Sequence, residues 1–82
     1  MTIYKKDIKK IDNRILARAK SIISNLDNVV KNYLNIDKDI VSIKLNRQYR
    51  LVYRESTKQT ARLVTHNDYN RIISYRYVNN IV

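Results

Sequence analysis

Apolar and polar residues alternate through the second half of the chain, and this period of two predicts three short β-strands. We expect them at Val41–Asn46, Tyr49–Arg54 and Ala61–His66. Because the side chains of a strand point alternately to opposite faces, one face of the resulting sheet collects apolar residues and predicts a core. These residues are Val41, Ile43, Leu45, Tyr49, Leu51, Tyr53, Ala61 and Leu63.

The first half of the chain shows helical spacing instead. Thr2–Lys5 fits a short first strand, and a short helical stretch in which Ile8 and Ile11 share a side is expected to open at about Asp7. Asp12 has the side chain of a good N-cap for a second helix. The apolar face of that helix suits the core face of the sheet and comprises Ile15, Ala19, Ile22, Ile23 and Leu26.

The links between these elements contain neither glycine nor proline, because the chain has none of either. Turns therefore depend on Asn, Asp and Ser, which tolerate left-handed backbone best among the remaining residues. We expect Asn46 at positive φ in a first hairpin turn over Asn46–Gln48, and a second turn over Glu55–Gln59. We treat Val29–Asp39 as a connection, with a short irregular strand as the alternative.

The C-terminal part predicts a helical turn over Asn67–Ile73, and the alternation of Tyr75, Tyr77 and Ile81 suits another strand. The order of elements predicts an α+β fold, with an N-terminal strand and a helical hairpin packed on a small antiparallel β-sheet. A hydrophobic content of 44% in 82 residues favours one folded domain over residues 1–82.

Charge adds a second asymmetry, because the net charge is +10 and the strands carry their cations on the face opposite the core. That face has no acidic residue within the strands, whereas a solvated face normally mixes both signs. It comprises Ser42, Lys44, Arg50, Val52, Arg54, Arg62, Val64 and His66. The pattern predicts a polyanionic partner, and a nucleic acid or an acidic protein fits better than a membrane surface because the cations lie on strands.

Composition also narrows the chemistry. The chain has no cysteine, which excludes disulfides and thiol catalysis and fits a reducing cytosol. No apolar run approaches the roughly 20 residues of a membrane span. Without glycine, phosphate-binding glycine loops are excluded as well. We expect a cytoplasmic protein that uses no membrane and no small-molecule cofactor.

Three segments carry a resemblance to a known family: Ser42–Leu45 (SIKL), Tyr49–Tyr53 (YRLVY) and Thr65–Ile72 (THNDYNRI). In this order, after a strand and a helical hairpin, they resemble the RelE/ParE toxin superfamily, and most closely its RelE/HigB-type mRNA interferases. The resemblance spans about Tyr4 to Ile73. It implies the toxin of a type II toxin–antitoxin system, a small basic ribonuclease that cleaves messenger RNA in the 30S A site of the ribosome and is silenced by an acidic antitoxin.

The same resemblance implies roles for four residues. Lys44 stands at a catalytic lysine, Arg50 at a phosphate-contacting arginine, His66 at a basic or histidine catalytic group, and Tyr69 at a tyrosine that stacks on or activates the RNA. The chain departs from the family at Ser42, where RelE has a second lysine, and in lacking the glycines common near the hairpin.

The residue types independently suit RNA cleavage without a metal. Such cleavage needs a proton acceptor for the 2′-hydroxyl, cations for the phosphate and a proton donor for the leaving 5′-oxygen. His66 is the only histidine and can serve as base or acid, while Arg50 offers a planar donor fork and Lys44 a point charge. The acids form no cluster suited to a metal ion.

Each assignment has a simpler alternative. His66 and Lys44 also fit solvated surface residues, and the Tyr69 ring also fits packing on the core. Further cations predicted to contact RNA phosphates, or to act only as electrostatic guides or a solvated helix face, are Arg54, Arg62, Lys5, Lys6, Lys9 and Lys10.

The functional hypothesis is therefore a ribosome-dependent, metal-independent mRNA endoribonuclease that inhibits translation. Its first rival is a ParE-like inhibitor of DNA gyrase, and its second is a non-catalytic module that binds nucleic acid or antitoxin. Because His66 and Tyr69 occur together, the nuclease is favoured over the gyrase inhibitor.

Overall fold

The structure, a computed structural model, describes residues 1–35 and 37–72 and the side chains of these residues except Ile72. The strand predicted around Tyr75, Tyr77 and Ile81 lies outside this range. The elements are β1 (Thr2–Ile3), α1 (Lys5–Ile8), α2 (Asn13–Ile23), a 3₁₀ turn (Leu26–Asn28), β2 (Asn32–Tyr33), β3 (Ile40–Lys44), β4 (Tyr49–Arg54), β5 (Thr60–Thr65) and α3 (His66–Ile72).

The strands form one five-stranded sheet in the order β1-β5-β4-β3-β2. β1 runs parallel to β5, and the other neighbouring pairs are antiparallel. The α+β prediction is confirmed, and the hairpin strands lie within one or two residues of their predicted bounds. The segment treated as a connection contains β2, so its alternative, a short strand, was the better interpretation.

The predicted core face is also confirmed. All of its members are buried except Tyr49, which is half-buried, and they pack around the fully buried Ala19 of α2. Helix α2 begins as predicted, because the Asp12 carboxylate accepts a hydrogen bond from the Arg14 backbone N–H at 2.7 Å. This cap satisfies a backbone donor that the helix itself leaves unpaired.

The short helical stretch expected to open at about Asp7 is α1, a single turn that begins two residues earlier, at Lys5. Asp7 lies inside that turn and its carboxylate binds elsewhere: it accepts hydrogen bonds from the Leu63 backbone N–H at 3.0 Å and from Arg62. The Asp7 carboxylate therefore joins α1 to β5.

The prediction of positive φ at Asn46 was wrong. Of the described residues, Lys58 is the one with positive φ, at 49°. Asn46 uses its side chain instead, because its Oδ1 accepts hydrogen bonds from the backbone N–H groups of Gln48 (2.8 Å) and Tyr49 (2.7 Å). A side chain that bonds the following amides closes the turn without left-handed backbone.

The face predicted to be open and basic is covered at its centre. Val52 and Val64 are buried with Leu34 and Ile40 in a second apolar cluster, against which Tyr69 of α3 packs. Ser42 is fully buried on the same face. The prediction of a solvated face was therefore wrong for these positions, because α3 and the segment before β3 fold over them.

Within the part of the chain that the structure describes, no helix has the length and apolar character needed to cross a membrane.

Candidate functional site

The site is centred on Arg50, near the start of β4. Its guanidinium carbon lies 4.7 Å from the centroid of the Tyr69 ring, which is the geometry of a cation–π contact. Its Nε is buried and has no hydrogen-bond partner among the described residues. No carboxylate pairs with Arg50 in residues 1–35 and 37–72, so its guanidinium is available to an anion.

Lys44 places a second cation beside Arg50. The two residues are directly opposite each other in the antiparallel pairing of β3 and β4, and Val64 lies opposite Arg50 on β5. The Lys44 side chain is exposed. Like charges at directly opposed positions destabilise a sheet, so this pair is one that an anionic ligand would stabilise.

Lys44 and Arg50 begin a row of cations across the sheet, and His66, at the end of β5, extends this row. Its backbone N–H donates to the Gln48 carbonyl at 2.6 Å, which continues the β4–β5 ladder into the first residue of α3. The imidazole is exposed. Diagonal positions on a sheet lie about 7–8 Å apart, so this pairing brings His66 to the same end of the sheet as Arg50.

Tyr69, the fourth of the predicted catalytic residues, is packed against other side chains. Its ring is half-buried, because one side packs on the second cluster and the guanidinium of Arg50 lies over the ring. The alternative in which the ring packs on the core describes much of this environment. The geometry makes Tyr69 a support that orients Arg50.

Arg54 and Arg62, predicted as phosphate contacts, each bind carboxylates. Arg54 Nη1 lies 3.2 Å from Asp37 and 3.3 Å from Asp39. Arg62 Nε lies 2.7 Å from the Asp7 carboxylate, with Nη2 at 3.3 Å from its other oxygen. The prediction considered acids within the strands alone, and these acids come from outside them.

One of these ion pairs had a signal in the sequence. A turn over Asn46–Gln48 leaves residue 45 opposite residue 49 and therefore residue 40 opposite residue 54, as observed, so Asp39 is a neighbour of Arg54. The Asp7–Arg62 contact had no such signal, because the two residues are 55 positions apart. Arg62 also stacks on Tyr4, with its guanidinium carbon 4.4 Å from the ring centroid.

Two groups beside the Arg54 cluster have shifted acidities. The pKa of Asp39 is lowered, first by a hydrogen bond from the Ser56 hydroxyl (2.6 Å) and also by the Ser56 backbone N–H and Arg54. Burial raises the pKa of Tyr53 to about 12, and the negative charge of Glu55 adds to the effect. Both groups keep the protonation state that is ordinary at neutral pH, which marks this cluster as structural.

The four predicted N-terminal lysines, Lys5, Lys6, Lys9 and Lys10, are exposed on α1 and the turn after it. They lie at the β1–β5 edge of the sheet, not in the row formed by Lys44 and Arg50. Their role as phosphate contacts stays a prediction. Among the described residues, no group of three His, Asp or Glu side chains is placed to hold a metal ion.

Comparison with known proteins bears on this site. Searches of curated proteins and of solved structures gave no match. A family model described as a ParE-like toxin domain matches residues 13–71, which include α2, the hairpin strands and every residue of the Arg50 site. The match supports the toxin of a toxin–antitoxin system, with an antitoxin as its partner. Because the matched segment is well over half of the 82 residues, the chain belongs to the family of ParE-like toxin domains.

Proposed function

We propose that the chain is an endoribonuclease toxin that cleaves messenger RNA on the ribosome without a metal ion. The observation that carries the proposal is the half-buried Arg50, whose guanidinium is supported by the Tyr69 ring and lies opposite Lys44 in the strand pairing. Arg54 and Arg62 bind carboxylates, whereas no acid pairs with Arg50 among the described residues. The positive charge available for a phosphate is therefore concentrated at one end of the sheet.

The chemistry that suits these groups is attack by the 2′-oxygen of the RNA on the adjacent phosphorus. The P–O5′ bond breaks, so the products are a 2′,3′-cyclic phosphate and a 5′-hydroxyl end. Arg50 and Lys44 stabilise the negative charge that develops on the phosphate oxygens. His66 makes one of the two proton transfers, either taking the proton from the 2′-hydroxyl or giving one to the leaving 5′-oxygen, and water makes the other.

The ribosome and the antitoxin have distinct parts in the proposal. The messenger in the 30S A site is the substrate, and the net charge of +10 favours binding among ribosomal RNA phosphates. An acidic antitoxin would neutralise the same charge and block the Arg50 site. Both partners are polyanions, so each is expected to bind less tightly as salt rises.

The test is to map the 5′ ends of cellular RNA after brief induction of the parent chain and of the Arg50→Ala and His66→Ala variants. We expect in-frame cuts within translated messages for the parent, and a loss of about 100-fold or more in cut frequency for either variant. Arg14→Ala is the matched control, because it removes an exposed arginine at the start of α2 and leaves the row intact. Growth arrest by Arg50→Ala or His66→Ala as complete as the parent's would refute the proposal.

A second candidate, inhibition of DNA gyrase, is favoured by the description of the matching family model as ParE-like. It is tested with purified gyrase and relaxed plasmid DNA. Inhibited supercoiling, with cellular RNA left intact, would replace the nuclease by this function. Inhibition that survives Arg50→Ala would also show that the row of cations is not the surface used against gyrase.

A further inference from the structure

We propose that a cavity beside Arg50 receives one base of the RNA and selects guanine. This inference deepens the proposed function and rests on it, since the base belongs to the strand whose phosphate Arg50 binds. The cavity lies beside the part of β5 that extends beyond its pairing with β1, and its lining comes from the α1–α2 region and the first turn of α3 as well. It has a volume of about 290 Å³ and is lined by Asp7, Lys10, Tyr49, Val64, Thr65 and Asp68 among others. Small-molecule sites begin at about this size, which suits a single base.

The cavity adjoins the Arg50 site through two of its walls. Val64 lies directly opposite Arg50 in the pairing of β4 and β5, so the two positions are about one strand spacing apart. Asp68 immediately precedes Tyr69, whose ring lies under the Arg50 guanidinium. A nucleotide with its phosphate at Arg50 therefore has its base within reach of the cavity.

The two carboxylates that line the cavity differ in their hydrogen bonding. Asp7 accepts hydrogen bonds from Arg62 Nε (2.7 Å), Arg62 Nη2 (3.3 Å) and the Leu63 backbone N–H (3.0 Å), so its lone pairs are largely occupied. The Asp68 carboxylate has no hydrogen-bond donor among the described residues, since its contact with Thr65 uses its own backbone N–H at 3.1 Å. Asp68 is the acceptor available to a ligand.

The chemistry of an available carboxylate favours guanine. A carboxylate has two parallel acceptor oxygens, and guanine presents two adjacent N–H donors, N1–H and the 2-amino group, on its Watson–Crick edge. Adenine and cytosine each offer donors on one exocyclic nitrogen, and uracil offers one ring N–H. Proteins that read single-stranded RNA form hydrogen bonds to the Watson–Crick edges of unstacked bases, and the apolar residues that line the cavity include Ile11, Tyr49 and Leu63.

The inference is tested by titrating the purified, isotope-labelled chain with each of the four nucleoside 5′-monophosphates and following backbone amide signals. Guanosine monophosphate is expected to move the signals of Thr65 and Asp68 and to bind about tenfold more tightly than the other three. Asp68→Asn should abolish this preference, Asp68→Glu should keep part of it, and Asp27→Asn is the matched control, an exposed acid in the 3₁₀ turn. Equal binding of all four nucleotides, or a preference that survives Asp68→Asn, would overturn the inference.

The nuclease proposal and the base-site proposal can be refuted independently of each other. A guanine preference in the titration without RNA cleavage in cells would refute the nuclease and leave the base site standing. Cleavage in cells at positions with no guanine bias, together with equal binding of the four nucleotides, would refute the base site and leave the nuclease standing. Because Asp68 lies in the first turn of α3, the thermal unfolding of Asp68→Asn is measured alongside, and a folded variant validates the comparison.

Discussion

The guanidinium of Arg50 lies over the ring of Tyr69, 4.7 Å from its centroid, and the same ring packs on the second apolar cluster. The Tyr69 side chain thus joins the anion site to the second apolar cluster. Arg50 needs this support, because its Nε is buried without a hydrogen-bond partner in the described structure. The ring holds the guanidinium in place, and no carboxylate competes with phosphate for it there.

Two substitutions of Tyr69 distinguish the support that its ring gives to Arg50 from a direct part of its hydroxyl in the reaction. Tyr69→Phe keeps an aromatic face under Arg50, whereas Tyr69→Leu keeps apolar packing but removes the cation–π contact, which is typically about 0.5–2 kcal/mol. We expect Tyr69→Phe to cleave RNA near the parental rate, and Tyr69→Leu to lose about 2- to 30-fold. Single-turnover cleavage of a ribosome-bound message measures both. A Phe variant as impaired as the Leu variant would show that the hydroxyl takes part in the reaction.

The Asp7 carboxylate joins α1 to β5, and its removal should destabilise the fold. Asp7→Asn leaves Arg62 and the Leu63 N–H without a charged acceptor, and such bonds contribute about 1.5–3 kcal/mol each in favourable cases. We expect a loss of about 1.5–3 kcal/mol in the free energy of unfolding, measured by urea denaturation. Asp12→Asn is the control, because asparagine caps a helix about as well as aspartate, and its loss should stay below about 1 kcal/mol. Equal losses in the two variants would contradict the bridging role of Asp7.

Lys44 is predicted to lower the free energy of unfolding while it contributes to RNA binding. It stands opposite Arg50, and opposed like charges destabilise a sheet, so Lys44→Gln should raise the free energy of unfolding by about 0.2–1 kcal/mol. The same change removes a phosphate contact and should lower the salt dependence of RNA binding. Lys9→Gln, at an exposed position outside the hairpin, is the control for stability. A Lys44→Gln variant that is less stable than the parent would refute the repulsion.

Acid should weaken the cluster around Asp39. Its pKa is lowered in the folded chain, by Ser56 first and Arg54 among the other causes, so it contributes stability above the ordinary aspartate pKa of about 3.9. That contribution is lost as the pH falls below this value through the lowered pKa of the folded state. The stability difference between the parent and Asp39→Asn should therefore shrink as pH falls through this window. Urea unfolding at a series of pH values measures it, and a difference that does not vary with pH would contradict the assignment.

The core face could be predicted from the sequence because it depends on a local rule. Side chains alternate along each strand, and Val41 and Leu51 need no distant information to be placed together. The opposite face does not follow from alternation, because its covering comes from elsewhere. Leu34 and Tyr69 lie far apart in sequence, and they bury Val52 and Val64 only once the chain is folded.

The same division applies to the site. The row of Lys44, Arg50 and His66 follows from strand register, so the sequence brings these residues to one end of the sheet. What the sequence left open is which cations remain available for a ligand. Arg62 looked equivalent to Arg50 in the strand pattern, yet it binds an aspartate 55 positions away. Tertiary ion pairs, and not composition, concentrate the charge at Arg50.

Tyr53 provides a test at the alkaline end. Its hydroxyl is fully buried beside the Glu55 carboxylate and meets no acceptor in good hydrogen-bond geometry among the described residues. An unsatisfied buried group of this kind costs about 1–3 kcal/mol. Tyr53→Phe removes the hydroxyl and keeps the ring, so we expect a variant that is about as stable as the parent at neutral pH, or more stable by about 1 kcal/mol.

The gap between parent and Tyr53→Phe should widen in alkali. The folded chain holds the pKa of Tyr53 at about 12, against an ordinary value of 10.0, because burial and the charge of Glu55 oppose ionisation. Above the ordinary value the unfolded chain releases this proton and the folded chain does not, so the parent loses stability as pH rises through this interval. The phenylalanine variant lacks that loss. Urea unfolding across the interval, with tyrosinate absorbance as the readout of ionisation, measures both, and parallel stability curves for the two chains would show that Tyr53 ionises as readily folded as unfolded.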